Sequence, residues 1–131
     1  MNKMKEKIQK KERRAKRTRK KLKAKTKRNF RLSVFRSNKH IYLQLVDLSS
    51  GKTLFGVSDL SLDKIAQSKN IEFPQVDLQG KKAQAFKVGF LAAKLALERK
   101  IDKVIFDKGP YKYHGLVKAA AEGARKGGLI F

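Results

Sequence analysis

The chain has no cysteine and no tryptophan, two prolines, two histidines, and 11 Asp and Glu residues among 131. Each shortage removes a class of chemistry. Without cysteine there is no disulfide framework, no thiolate metal site and no cysteine nucleophile. His40 and His114 fall in separate predicted loops, so no metal-ligand cluster is read. No apolar run approaches the roughly 18 residues of a membrane span, and no signal-peptide core follows the basic start. The chain is therefore expected to be soluble and intracellular, with no membrane partner. A Walker pattern, a dinucleotide glycine fingerprint and a nucleophile elbow are all absent. Asp47, Asp59, Asp63, Asp77, Asp102 and Asp107 could in principle build a two-metal nuclease site. Most of them stand at expected turns, helix starts or strand ends, where carboxylates serve as caps. No enzyme, cofactor, metal or small-molecule substrate is expected.

What is plentiful is positive charge. Lys and Arg number 34, for a formal net charge of +23. An excess of this size repels itself unless a polyanion neutralises it, which makes nucleic acid the leading partner class. The charge is uneven: residues 1–28 hold 16 basic and two acidic side chains, net +14, and the remainder holds 18 and nine. Composition changes abruptly near residue 28, so the chain reads as a basic arm, residues 1–28, and an RNA-binding body, residues 29–131. The arm consists largely of good helix formers, but its apolar stripe is thin and like charges recur at i,i+4. It is expected to be disordered when free and helical around phosphates. Its candidate RNA contacts are Lys10, Lys11, Arg13, Arg14, Lys16 and Arg17, then Arg19, Lys20, Lys21, Lys23, Lys25, Lys27 and Arg28. A solvated tail is the plainer alternative. A presequence would be rich in Ser, and a membrane-surface helix would carry Trp or Phe, both of which the arm lacks.

From Arg31 the apolar period becomes two. Leu32 and Val34 form one strand, Ile41, Leu43 and Leu45 the next, with Ser37, Asn38, Lys39 and His40 as a tight hairpin between them. With Asn38 and Lys39 at the turn, Asn38 in a left-handed conformation, Val34 faces Leu43, Leu32 faces Leu45, and Phe35 faces Tyr42. The first two pairs face the core. Phe35 and Tyr42 then share the opposite face with Arg31, Ser33 and Gln44, either as a cross-strand pair or as a surface that meets RNA with Arg31 and Arg36. A third strand is read at residues 52–57 and a short helix at 59–69 capped by Asp59 or Ser61. A long helix at 79–100 carries Phe86, Phe90, Ala93 and Leu97 at helical spacing, a stripe widened by Ala83, Leu91 and Leu95, and is expected to cover one face of the sheet. A buried strand at 104–106 and a helix at 115–126 follow, and the apolar terminus packs on the body. The fold class is α/β: a small mixed sheet, a three-strand meander plus a later strand, covered by helices.

Between the last strand and the last helix lies Asp107-Lys108-Gly109-Pro110-Tyr111-Lys112-Tyr113-His114-Gly115. The end of a buried strand leading into a helix is where α/β sheets present ligands. Lys108, Tyr111, Lys112, Tyr113, His114 and Gly115 suit stacking and phosphate contact, the plainer reading being a packed connector.

Residues 31–42, residues 107–115 and the terminal Gly128-Leu129-Ile130-Phe131 together resemble the bacterial-type 5S rRNA-binding large-subunit ribosomal protein family, that of the eighteenth protein of the subunit. The likeness runs from about Thr26 to the end, in the family's order and spacing. It implies a structural protein of the cytoplasmic ribosome, or of an organelle's, that binds 5S rRNA and helps attach it to 23S rRNA in the central protuberance beside neighbouring ribosomal proteins. Lys25, Phe30, Pro110 and Leu116 depart from the family's common Gly, Pro, Gly and Arg. Pro110 removes a backbone N–H that could have met a phosphate.

Overall fold

The alternating apolar residues of the first half pair as the sequence pattern demands. The structure, a computed structural model, describes residues 13–14 and 29–131. Strands β1 (Phe30–Arg36), β2 (Ile41–Asp47) and β3 (Lys52–Ser58) form an antiparallel meander, and β4 (Ile105–Asp107) joins β1 in parallel, giving the order β3-β2-β1-β4. Leu32 faces Leu45, Val34 faces Leu43 and Phe35 faces Tyr42, as expected. Asn38, however, is not left-handed: among the described non-glycine residues only Asn70 and Lys100 have positive φ. The hairpin closes instead through the Ser37 N–H to the His40 carbonyl at 2.9 Å and the His40 N–H to Ser37 Oγ at 3.2 Å. A serine hydroxyl supplies the constraint that a left-handed residue would otherwise provide.

Three helices follow the meander: α1 (Leu62–Lys69), α2 (Gly80–Glu98) and α3 (Gly115–Lys126). Helix α1 starts three residues later than expected. Asp59 does not cap it, because its carboxylate takes the Ile41 N–H at 3.3 Å and His40 Nδ1 at 2.9 Å. Ser61 occupies the cap position without bonding a helix N–H, its hydroxyl engaged with Ser58. The last strand is shifted by one residue: Lys103 forms a bridge with Ile130 of the terminal segment, and the Val104 N–H donates to the Ile130 carbonyl at 3.1 Å. That segment is held as expected: Leu129 is buried and Phe131 stacks on Phe106 at 5.1 Å.

Helix α2 is where pattern and packing diverge. The stripe divides between two neighbours: Ala93 and the flanking Leu91 join the main core, Phe90 meets Phe73 edge-on at 5.9 Å, and the backbone of Phe86 and Phe90 abuts α3 and the residues after it. A Cβ on Gly123 would collide with the Phe86 carbonyl, one on Gly127 with Ala93 and the Phe90 carbonyl, and one on Gly128 with Leu97. The residues of α2 that join Leu32, Val34, Leu43, Leu45 and Val57 in the main core are Ala85, Val88, Leu91, Ala92, Ala93 and Ala96. Helix α2 is thus buried on two sides, one against β2 and β3 and one against α3. Small residues make this possible. Gly89 lies against the Ala120 carbonyl so closely that no side chain fits between the helices.

Candidate nucleic-acid interface

The crossover that places β4 beside β1 also fixes where the charged groups collect. Helices α2 and α3 both begin at the end of the sheet that carries the β1–β2 hairpin tip. Lys81 Nζ, one residue into α2, donates to the Asn38 carbonyl at 3.0 Å. Gly115, the first residue of α3, shares with Asn38 a cleft of about 640 Å³ lined also by Arg36, Ser37, Tyr111, Lys112 and His114. Two sets of free helix N–H groups therefore open toward the same tip. Neither helix has an acidic residue in its first turn, whereas α1, which also starts near this end of the sheet, has Asp63 there. Lys81 and Lys82 instead oppose the α2 dipole, an arrangement that costs about 0.3–1 kcal/mol per charge unless an anion compensates.

The connector after β4 is braced from within. Asp107, 1% exposed, accepts the Gly109 N–H at 2.8 Å, which holds the left-handed turn at Gly109. Lys108 Nζ donates to the Tyr111 carbonyl at 3.0 Å. The Tyr111 hydroxyl accepts the Arg36 N–H and donates to the Arg36 carbonyl, both at 3.2 Å. Tyr111 thereby ties the connector to the end of β1. Lys112, Tyr113 and His114 are left outward, Tyr113 resting edge-on against Phe106 and receiving Arg125 Nη1 at 3.4 Å. The plainer reading holds for Lys108 and Tyr111, and the surface reading fits the three residues that follow.

On the sheet face away from the helices, Phe35 and Tyr42 stand 6.3 Å apart, tilted by 43° and both exposed. Tyr42 lies over Gly56, whose missing side chain leaves room for the ring, and its hydroxyl receives Gln44 Nε2 at 3.2 Å. Ser33 corrects the surface reading of this face. It is buried at 3% exposure, accepts Arg31 Nε at 2.9 Å, and is paired with Asp107 across β4. Its role is to orient Arg31, whose Nε also stands 3.7 Å from the Asp107 carboxylate.

Phe35, Arg36, Ser37, Asn38, Lys39, His40 and Tyr42 thus cluster at one tip, joined there by Lys112, Tyr113, His114 and Gly115, whereas Arg31 lies toward the other end of β1, opposite Val46. Arg13 and Arg14 are helical and exposed; the other arm candidates, Lys10 to Arg28, and the disorder-to-helix expectation lie outside the described residues. Lys81 and Lys82 belong to the tip and were missed by the sequence reading. Two lysines opening a long helix, with no acid nearby, were the available signal. Among the described residues no three His, Asp or Glu side chains are grouped so as to hold a metal ion, and no helix is long and apolar enough to cross a membrane.

Comparison with known proteins adds a second line of argument. A family model described as ribosomal L18 of archaea, bacteria, mitochondria and chloroplasts matches residues 5–131. The large ribosomal subunit protein uL18 of Chelativorans sp. (strain BNC1) is 50% identical over 119 residues, spanning 91% of this chain and 93% of its own. The uL18 of Sorangium cellulosum is 48% identical over 120 residues, 92% and 93% respectively. That of Thermus thermophilus is 50% identical over 102 residues, 77% of this chain and 79% of its own.

Proposed function

The chain belongs to the ribosomal L18 family, a family of structural large-subunit proteins and not of enzymes, whose partners are ribosomal RNA and other ribosomal proteins; from that premise we propose that it binds 5S rRNA and helps attach it to 23S rRNA in the central protuberance. The observation that supports this reading best is the tip itself. Two uncapped helix starts, the cleft between hairpin and connector, and the cations Arg36, Lys39, Lys81, Lys82 and Lys112 share one end of the sheet. In this reading residues 1–28 form an arm that supplies sequence-independent attraction to phosphates, and residues 29–131 form the body that supplies register. The protein works in the ribosome of the cytoplasm or of an organelle.

A competition experiment tests the proposal. At about 150 mM salt, 5S rRNA is expected to displace a labelled 5S probe at least 100-fold more effectively than duplex DNA of equal length, in keeping with the usual gap between specific and non-specific binding. Equal competition by DNA makes the protein a general nucleic-acid binder.

The two tyrosines are expected to separate. Tyr111→Phe keeps the ring and loses both bonds to Arg36, whose backbone groups are exposed and can turn to water. Thermal unfolding should move by no more than a few degrees. RNA affinity should fall roughly 3–10-fold as the tip loosens. Tyr113→Ala should weaken binding with a similarly small change in stability. Matched losses of binding and stability for both tyrosines would make them packing residues.

A further inference from the structure

Leucine at a turn, three-quarters exposed, has no account in the folding of this chain. Leu60 is 75% exposed in the link between β3 and α1, where Ser58 and Ser61 bond each other and turn it outward. It forms one wall of a hollow of about 420 Å³ whose other walls are Phe35, Tyr42, Ile41 and His40, closed at the end by Arg36 and Ser37. Arg36 and Ser37 also line the polar cleft on the helix side. The end of β1 is therefore a ridge with an apolar hollow on one flank and a cationic cleft on the other.

We propose that one unpaired nucleotide of the bound RNA straddles this ridge, its base in the hollow between Phe35, Tyr42 and Leu60 and its phosphate in the cleft beside Lys112 and His114. The inference rests on the RNA-binding reading above and adds to it a seat for a single base. Phe35 and Tyr42 are tilted too far apart to stack on each other, and Tyr42 already has Gly56 beneath it, so an outer ring face is left for a base. A splayed base stacks on aromatic faces whatever its identity. His40 bonds Asp59 through Nδ1 at 2.9 Å, which fixes the ring at the rim and leaves Nε2 for a base edge. Charge selects the occupant. The hollow is continuous with a cluster of cations in a chain of net charge +23, which suits a polyanion.

The test uses the full chain and 5S rRNA probed with a base-modifying reagent such as dimethyl sulfate. Wild-type protein is expected to protect at least one unpaired base that Leu60→Ala and Phe35→Leu each make reactive again. Affinity should fall roughly 3–10-fold for each variant. Leu60→Ala should unfold at the wild-type temperature because the side chain is exposed. Unchanged protection and affinity in both variants overturns the proposal. So does a Leu60→Ala protein that keeps its RNA footprint but fails to recruit another large-subunit protein, which makes the hollow a protein seat. A wild-type chain that binds no 5S rRNA overturns the underlying reading instead, and the two failures are distinct.

Discussion

Removing residues 1–25 is expected to weaken binding to 5S rRNA by roughly 100-fold or more at about 150 mM salt, while leaving a preference for 5S rRNA over duplex DNA. The segment holds 14 basic residues against Glu6 and Glu12. Each neutralised phosphate contributes about 0.7–0.9 to the slope of log affinity against log salt. If about 6–10 of these cations engage phosphates, the slope should fall by about 4–9 on truncation. The body retains the tip described above, with its fixed shape, and shape is what separates one folded RNA from another. A salt titration of both proteins against both nucleic acids checks the two halves of this expectation. Complete loss of preference in the truncated chain would show that the arm itself recognises the RNA.

The largest expected effect on folding lies far from any charge. Gly123→Leu should destabilise the body by about 3 kcal/mol or more, enough to unfold a domain of ordinary stability under mild denaturant. Two effects oppose each other at this position. Replacing glycine inside a helix gains up to about 1 kcal/mol from backbone entropy alone. Against it stands the Phe86 carbonyl, which sits where the new Cβ belongs and cannot rotate away as a side chain tip could. Separating α2 from α3 would open the contact along Gly89, Ala120 and Ala124 as well, all buried. The clash therefore wins, and Gly123→Ala should already cost roughly 1–3 kcal/mol. Glu122→Ala, one residue earlier and exposed, serves as the control and should be near neutral. Urea unfolding of the three variants, followed by helix signal, is the measurement. An unchanged midpoint for Gly123→Ala would mean that the helices can move apart cheaply.

The sheet was legible because a half-buried strand has a period that nothing else imitates. Leu32, Val34, Leu43 and Leu45 alternate with polar neighbours, and a one-residue slip would bury Arg31 and Gln44 in their place. That constraint, with Asn38 and Lys39 placed at the turn, delivered the register of β1 against β2 and the exposure of Phe35 and Tyr42. The stripe on α2 was found correctly, but it serves two neighbours where one was expected. A helix with two buried sides presents two overlapping stripes, and alanine and glycine carry little hydrophobic signal by which to tell them apart. Ser33 was misplaced for a related reason. Alternation puts it on the outer face, but only the parallel pairing with β4 sets Asp107 beside it and covers it.

Local order thus settled what local forces decide: the alternation of strands, the long helices, and the chemical character of the hairpin and the connector. Distances between segments remote in the chain were decided elsewhere. The handed crossover from β3 to β4 brought Lys81, Gly115 and Asn38 to one tip and turned Tyr111 inward onto Arg36, while the pairing of β3 on β2 set Leu60 beside Phe35. Periodicity tells each residue which way to face, and only close packing of helices against a sheet tells it what it will meet there.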